Sequence, residues 1–429
     1  MKHILVISEL NDYVNFNKLH FSMTKGFYFS KSLSKLQMVY YVTTGKSTDF
    51  EGINLINIDE INDIFMEQIK YIILIRETNL TEIIDRNNIL NNIFNNKKEK
   101  IIAIKSDSID WINDKHYKKY FSNKNINFID FILNTFDVIC CQTQELKKHG
   151  LKSLEKYYSN DILDKLSSKI FISKMGIPNE FSIDDNIENP YNILHNYCVN
   201  YACDLKNDMA LHPLHFISPY LEYSNYKLSN YNKKKTILIY TGRIKMDGGK
   251  IIYLLREIMK KLGDDYELHI FPGRFIIPDF NVSVLSPKNS YNLQLLRDII
   301  FYDADNVIIH YPYDDKMKAK YIQYADIGLD FSQSRPNNII SNQGNAKLLE
   351  YCYYGIKVVC ENNINNSDLI ISAKNGILLP GVATSDQFVE IIKKMKDVSY
   401  DKKFAINTTI INNNWDKIAQ DFFEYIEKL

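Results

Sequence analysis

The chain is 429 residues long, enough for two or three domains of about 100–200 residues, each able to bury its own core. Lysine plus arginine number 52 and aspartate plus glutamate 52, so the formal charge is zero, which argues against bulk electrostatic capture of nucleic acid or anionic membrane and leaves only local patches. Hydrophobic residues at 45% and charged residues at 24% exclude a disordered, collagen-like or coiled-coil chain.

The N-terminal MKHILVISEL sets a short β-branched run between Lys2 and Glu9 and reads as a first strand, not a signal peptide. No apolar run approaches the ~18 residues of a membrane span, which leaves room for peripheral membrane contact only. The cysteines (Cys140, Cys141, Cys198, Cys203, Cys352 and Cys360) form neither CxxC nor a zinc spacing. They read as reduced thiols in a cytoplasmic protein. The bias toward Asn, Ile, Lys and Tyr points to AT-rich coding, as in large DNA viruses, protists and low-GC bacteria. A viral source would place the protein in the host cytoplasm.

The first half alternates apolar runs with helical stretches. HILVIS from His3, MVYYVTT from Met38, YIILI from Tyr71, KIIAIK from Lys100, FDVICC from Phe136 and KIFIS from Lys169 lack strict alternation, as buried parallel strands do. Between the first two, Phe29, Leu33 and Leu36 share one helical face and predict a crossover helix. This succession predicts an α/β, doubly wound sheet. From about Ser182 to Lys235 the rhythm breaks into prolines, Asn, Tyr and a run of three lysines, which reads as an insertion and interdomain linker.

The rhythm restarts with TILIYT from Thr236 and a helix from Leu254 stopped by Gly263. YELHIF, NVSVL, NVIIHY, DIGLDFS, IKVVC and GILLP follow as strands, and KLLEYCYYG and SDQFVEIIKKMK as helices. The tail places Trp415, Ile418, Phe422 and Ile426 on one face of a closing amphipathic helix. The expected domains are 1–180, a linker 181–235, 236–405, and the closing helix 406–429.

Gly242, Arg243, Lys245, Gly248, Gly249 and Lys250 lie between a strand and a helix. Backbone N–H groups, the helix dipole and an arginine fork make such a loop a natural anion site, although it matches neither the P-loop nor GxGxxG. Further on, Lys347 and Glu350 lie three residues apart near the start of a predicted helix. A carboxylate there can accept from a ribose diol and a lysine can meet a phosphate; an ordinary surface pair has the same spacing.

Taken in order, GRIKMDGG, KLLEYCYYGIKVV and NGILLP resemble the second domain of GT-B glycosyltransferases, closest to the large retaining group called family 4. The resemblance implies two Rossmann-like doubly wound parallel-sheet domains facing across a cleft. Arg243 then falls on the family's phosphate-binding arginine and Glu350 on its ribose-binding glutamate. Two departures stand out: Gly248 replaces the family lysine, for which Lys245 or Lys250 is a substitute, and Asn342 replaces the first glutamate of an E-x7-E pair. Gly273, Tyr311, Pro312, Gly344 and Leu348 join the donor side by the same resemblance. The first domain matches mainly in rhythm; its candidates on the acceptor side are Asp107 and His116.

The resemblance implies transfer of a sugar from a nucleotide sugar, a UDP-sugar before a GDP-sugar, to a glycan, protein or lipid hydroxyl. It implies anomeric retention, no metal and no other cofactor. Asp303-Ala304-Asp305 reads as a loop feature, not a metal-binding DxD, and His212 and His215 lack a third ligand. The alternatives are a sibling nucleotide-sugar epimerase, a degenerate GT-B protein kept as a nucleotide-sugar-binding scaffold and, remotely, a nucleic-acid binder.

Overall fold

The computed structural model describes residues 3–8, 21–77, 80–96, 99–177, 235–245, 251–276, 301, 304, 306–309, 315–331, 346–362, 367–381 and 383–429. Within helices and strands, the side chains of 21–25, 243–245, 251–253, 272–276, 309 and 315–317 lie outside the description. The chain divides into two compact units.

The first unit runs β1 (His3–Ile7), α1 (Phe21–Ser34), β2 (Val39–Thr43), β3 (Thr48–Phe50), β4 (Ile53–Asn57), α2 (Asp63–Glu67), β5 (Ile69–Ile75), α3 (Leu80–Arg86), α4 (Asn88–Asn95) and β6 (Ile101–Lys105). It continues with α5 (Lys115–Asn123), α6 (Phe128–Thr135), β7 (Val138–Cys141), α7 (Gln144–Leu154), α8 (Asn160–Ser168) and β8 (Ile170–Ile172). The eight strands lie in the order β3-β4-β2-β1-β5-β6-β7-β8. Only the β3–β4 pair is antiparallel. The apolar runs become strands buried on both faces, as in β5, where six of seven residues are buried. β3 and β4 were not expected: TDF is short and mostly exposed, and INLIN interrupts its apolar residues with Asn.

The second unit runs β9 (Thr236–Lys245), α9 (Ile251–Leu262), β10 (Tyr266–Ile276), β11 (Val307–Ile309), α10 (Asp315–Tyr324), β12 (Ile327–Asp330), α11 (Ala346–Tyr353), β13 (Lys357–Glu361), α12 (Ser367–Ala373), β14 (Gly376–Leu379), α13 (Ser385–Asp397) and α14 (Lys402–Asn413). Its six strands are ordered β11-β10-β9-β12-β13-β14 and all parallel. α13 starts on a reciprocal cap: Thr384 accepts from the Gln387 backbone and the Gln387 side chain accepts from Thr384 N–H. NVSVL lies outside the described residues.

One boundary differs from expectation. Residues 406–412 stay with the second unit, because α14 buries Ala405 and Thr409 there. Only Asn413–Leu429, carrying α15 (Trp415–Glu427), belongs to the first unit. Trp415 packs edge-on to Phe29 of α1 at 5.9 Å, and Tyr425 stacks on Phe171 of β8 at 4.6 Å. Both sheets reverse strand order once, between β1 and β5 in the first unit and between β9 and β12 in the second. Ligands of open α/β sheets bind beyond the carboxyl ends of strands at such reversals.

Candidate functional site

In the second unit the β9–β12 ladder is short: Ile327 pairs with Leu238 and Gly328 with Ile239. Beyond it the strands are bridged by side chains. The Tyr351 hydroxyl of α11 accepts from the Thr241 backbone N–H at 2.9 Å, satisfying a donor the ladder has left. Gly328 makes room for that tyrosine, since a Cβ there would meet its ring at 2.5 Å.

Lys347 lies in the same place. Its Nζ donates to Asp330 Oδ1 at 2.7 Å, contacts the Tyr240 hydroxyl at 3.4 Å, and sits 4.5 Å from the Tyr240 ring centroid. The two charged side chains are 16% and 0% exposed. Burial works against the lysine's charge, but Asp330 and the Tyr240 hydroxyl outweigh it, so Lys347 titrates above its ordinary range and stays an ammonium. Burial also raises the Tyr351 hydroxyl. Gly242 adjoins this group at φ +115°, and a Cβ there would stand 3.2 Å from Lys347 Cε.

Several expected positions change. Lys347 and Glu350 do not pair with each other; Glu350 takes Lys318 of α10 at 2.7 Å. Leu348 is 0% exposed, so its side chain is core. β9 continues through Lys245, so Gly242, Arg243 and Lys245 lie on the strand and not in a loop. β10 likewise runs through Gly273 to Ile276, with a register shift between Pro272 and Phe275 where a turn was expected. Gly248, Gly249, Lys250, Tyr311, Pro312, Asn342 and Gly344 lie outside the described residues. Asp330 and Tyr240 escaped sequence reading, because each looks like an ordinary strand residue.

The first unit gathers a second polar edge at its own reversal. Parallel register carries Ser8, Arg76, Glu77, Ser106, Asp107 and Gln142 to the carboxyl ends of β1, β5, β6 and β7. Arg76 has φ +69°, an uncommon conformation for a side-chain-bearing residue, and its guanidinium lies 3.7 Å from Asp107. Gln142 Nε2 donates to Asp107 Oδ1 at 2.5 Å, and Ser106 Oγ to Glu77 Oε2 at 2.7 Å. The Ser8 hydroxyl is buried with no partner among the described residues. Asp107 is therefore in this cluster. His116 is exposed on α5, where the Asp114 cap holds its backbone N–H. Glu77 was missed because no motif marks it.

Burial lifts the Glu77 carboxyl above the ordinary carboxylate range, and Asp107 adds to the lift; its backbone hydrogen bond, Ser106 and Arg76 oppose it. The fold therefore favours the neutral acid. That contribution is complete below the ordinary glutamate value, about 4.3, and is lost as pH rises through the raised value. Glu77→Gln cannot ionise. It should match the wild type near about pH 4 and exceed its stability near about pH 8. Tryptophan emission in denaturant reads this directly, since Trp111 and Trp415 both belong to the first unit.

No protein-family model matches the chain, and no curated protein does. Solved structures match along its whole length. HepE of Anabaena in complex with UDP superposes with a TM-score of 0.60 at 8% identity, covering 100% of both chains. Sucrose-phosphate synthase of Thermosynechococcus elongatus gives 0.58 at 10%, covering 100% of this chain and 99% of that one. A glycosyltransferase of Rickettsia africae gives 0.55 at 12%, covering 100% and 98%. At such identities the likeness carries the fold: the chain has the GT-B fold, two Rossmann-like α/β domains.

Proposed function

We propose that the protein transfers a sugar from a nucleoside-diphosphate sugar, a UDP-sugar first, to a glycan, protein or lipid hydroxyl. The observation that carries this reading is the group at the β9/β12 reversal, where Gly242 leaves β9 without a side chain beside an ammonium pinned by Asp330. Its match to HepE, crystallised with UDP, supports the choice of nucleotide. As the bond from the anomeric carbon to the diphosphate breaks, negative charge grows on the leaving phosphate. Arg243, next to Gly242 on β9, and the N-terminus of α9 meet that charge, so the reaction proceeds without a metal. Glu350, oriented by Lys318, accepts from the ribose hydroxyls. The acceptor oxygen bonds to the anomeric carbon on the face the phosphate leaves while the leaving phosphate takes the acceptor's proton, so configuration is retained.

One observation favours a second reading, a nucleotide-sugar-binding scaffold subunit: Lys347 and Glu350 are both already engaged in buried ion pairs. A single experiment separates the two. Thermal shift against UDP-, GDP-, ADP- and dTDP-sugars finds the donor, and product analysis follows. Transfer or slow donor hydrolysis, reduced about a hundredfold or more by Arg243→Ala in a folded chain, supports the enzyme. Stabilisation without any product assigns the scaffold, and undiminished turnover by the variant removes Arg243 from the phosphate.

A further inference from the structure

The neutral total charge conceals a strongly basic face on the first unit. α5 carries no acid. Lys115 and Lys119 on α5, and Lys148, Lys152 and Lys156 on and just beyond α7, are exposed, and none pairs with a carboxylate among the described residues. Neighbouring lysines are engaged: Lys124 binds Asp85 at 2.6 Å and Lys147 donates to the Ser167 carbonyl at 2.9 Å. Lys148 and Lys152, four residues apart, share one stripe along α7, and Lys156 follows just beyond its end. The stripe ends at Tyr157 and Tyr158. There Lys118 Nζ of α5 lies 4.8 and 5.3 Å from the two ring centroids, which joins α5 to the segment just beyond α7. The carboxylates on α7 and its last turn are Glu145 and Glu155, fewer than the cations around them. Tyr157, 49% exposed, is pulled below its ordinary titration range first by a hydrogen bond with Asn113 and then by Lys156 and Lys118.

We propose that this α5/α7 face docks on a bilayer surface containing anionic phospholipid. The lysines supply charge complementarity through long stems that reach headgroup phosphates, and Tyr157 presents a ring with a polar tip, the chemistry favoured at headgroup depth. Among the described residues no helix is long and apolar enough to cross a membrane, so the contact is peripheral. This inference stands apart from the sugar-transfer reading and survives its failure.

The test is co-sedimentation of the full chain with phosphatidylcholine vesicles, with and without about one-third phosphatidylglycerol, at low and high salt. The expected result is binding to the anionic vesicles alone, weakened by salt. It falls about a hundredfold in Lys148→Gln/Lys152→Gln/Lys156→Gln, because each lysine near such a surface contributes about fivefold. Lys165→Gln, on α8 and paired with Asp161, leaves it unchanged. These positions are exposed, and circular dichroism confirms that the variants fold. Three results overturn the proposal: no binding, equal binding to neutral vesicles, or a triple variant that binds like the wild type. Retention on heparin or single-stranded DNA without vesicle binding also overturns it and assigns the face to an acidic polymer.

Discussion

Asp330→Ala should unfold the second unit well before the first. Among the described residues, the substitution leaves the Lys347 ammonium buried with the Tyr240 hydroxyl and ring beside it. Removing one partner of a buried ion pair costs about 3–5 kcal/mol, because the remaining charge is desolvated and uncompensated. That is a large part of the ~5–15 kcal/mol that holds a typical domain folded. The readout separates the units without labels. Both tryptophans lie in the first unit, whereas far-ultraviolet circular dichroism follows both. In denaturant the dichroism should split, with an early phase, while tryptophan emission keeps its midpoint. Asp330→Leu with Lys347→Met should recover most of the loss, since apolar replacement of a whole buried pair is nearly neutral. That folded double variant also tests the donor site: normal sugar transfer by it removes Lys347 from the chemistry.

Trp415→Ala should act on the other unit. Trp415 is buried against Phe29, with the Lys105 ammonium 5.7 Å from its ring. Phe422 and Phe423 extend the same face onto Phe29 and Tyr71. The helix entry is tied as well, by Ile177 N–H donating to the Asn413 carbonyl at 2.7 Å and Asn413 Nδ2 to the Met175 carbonyl at 3.0 Å. Truncating a buried tryptophan costs about 3–5 kcal/mol through lost transfer energy and the cavity left behind. Trp111 remains to report the shift, and its emission midpoint should fall while the second unit's transition stays in place. Asp416→Ala is the contrast. It removes an exposed ion pair with Lys35 and should change stability by about 1 kcal/mol or less. Equal shifts in the two variants would mean that α15 is not a buried strut of the first sheet.

The strands were legible where burial on both faces selects uninterrupted apolar residues, as in IILI of β5 and VICC of β7. INLIN and TDF were not, because a half-exposed edge tolerates polar residues and so leaves no run. The amphipathic face of α15 was visible from its spacing, but the unit that receives it was not. A stripe of apolar residues states that a partner exists without saying which. At the site, the GRI and KLLEY segments marked two of the elements around the β9/β12 reversal. Spacing left Lys347 facing either a phosphate or its near neighbour Glu350, whereas its partner in the fold lies on β12.

What the sequence determined by itself is the alternation of apolar strands with amphipathic helices, and therefore two doubly wound sheets, since periodicity and residue type are local properties. Which polar residues meet at the two sheet edges was decided only by tertiary structure. Parallel register brings Glu77 beside Ser106 and strand order brings Asp330 beside Lys347, and hydrogen bonding between distant segments leaves no imprint on local composition.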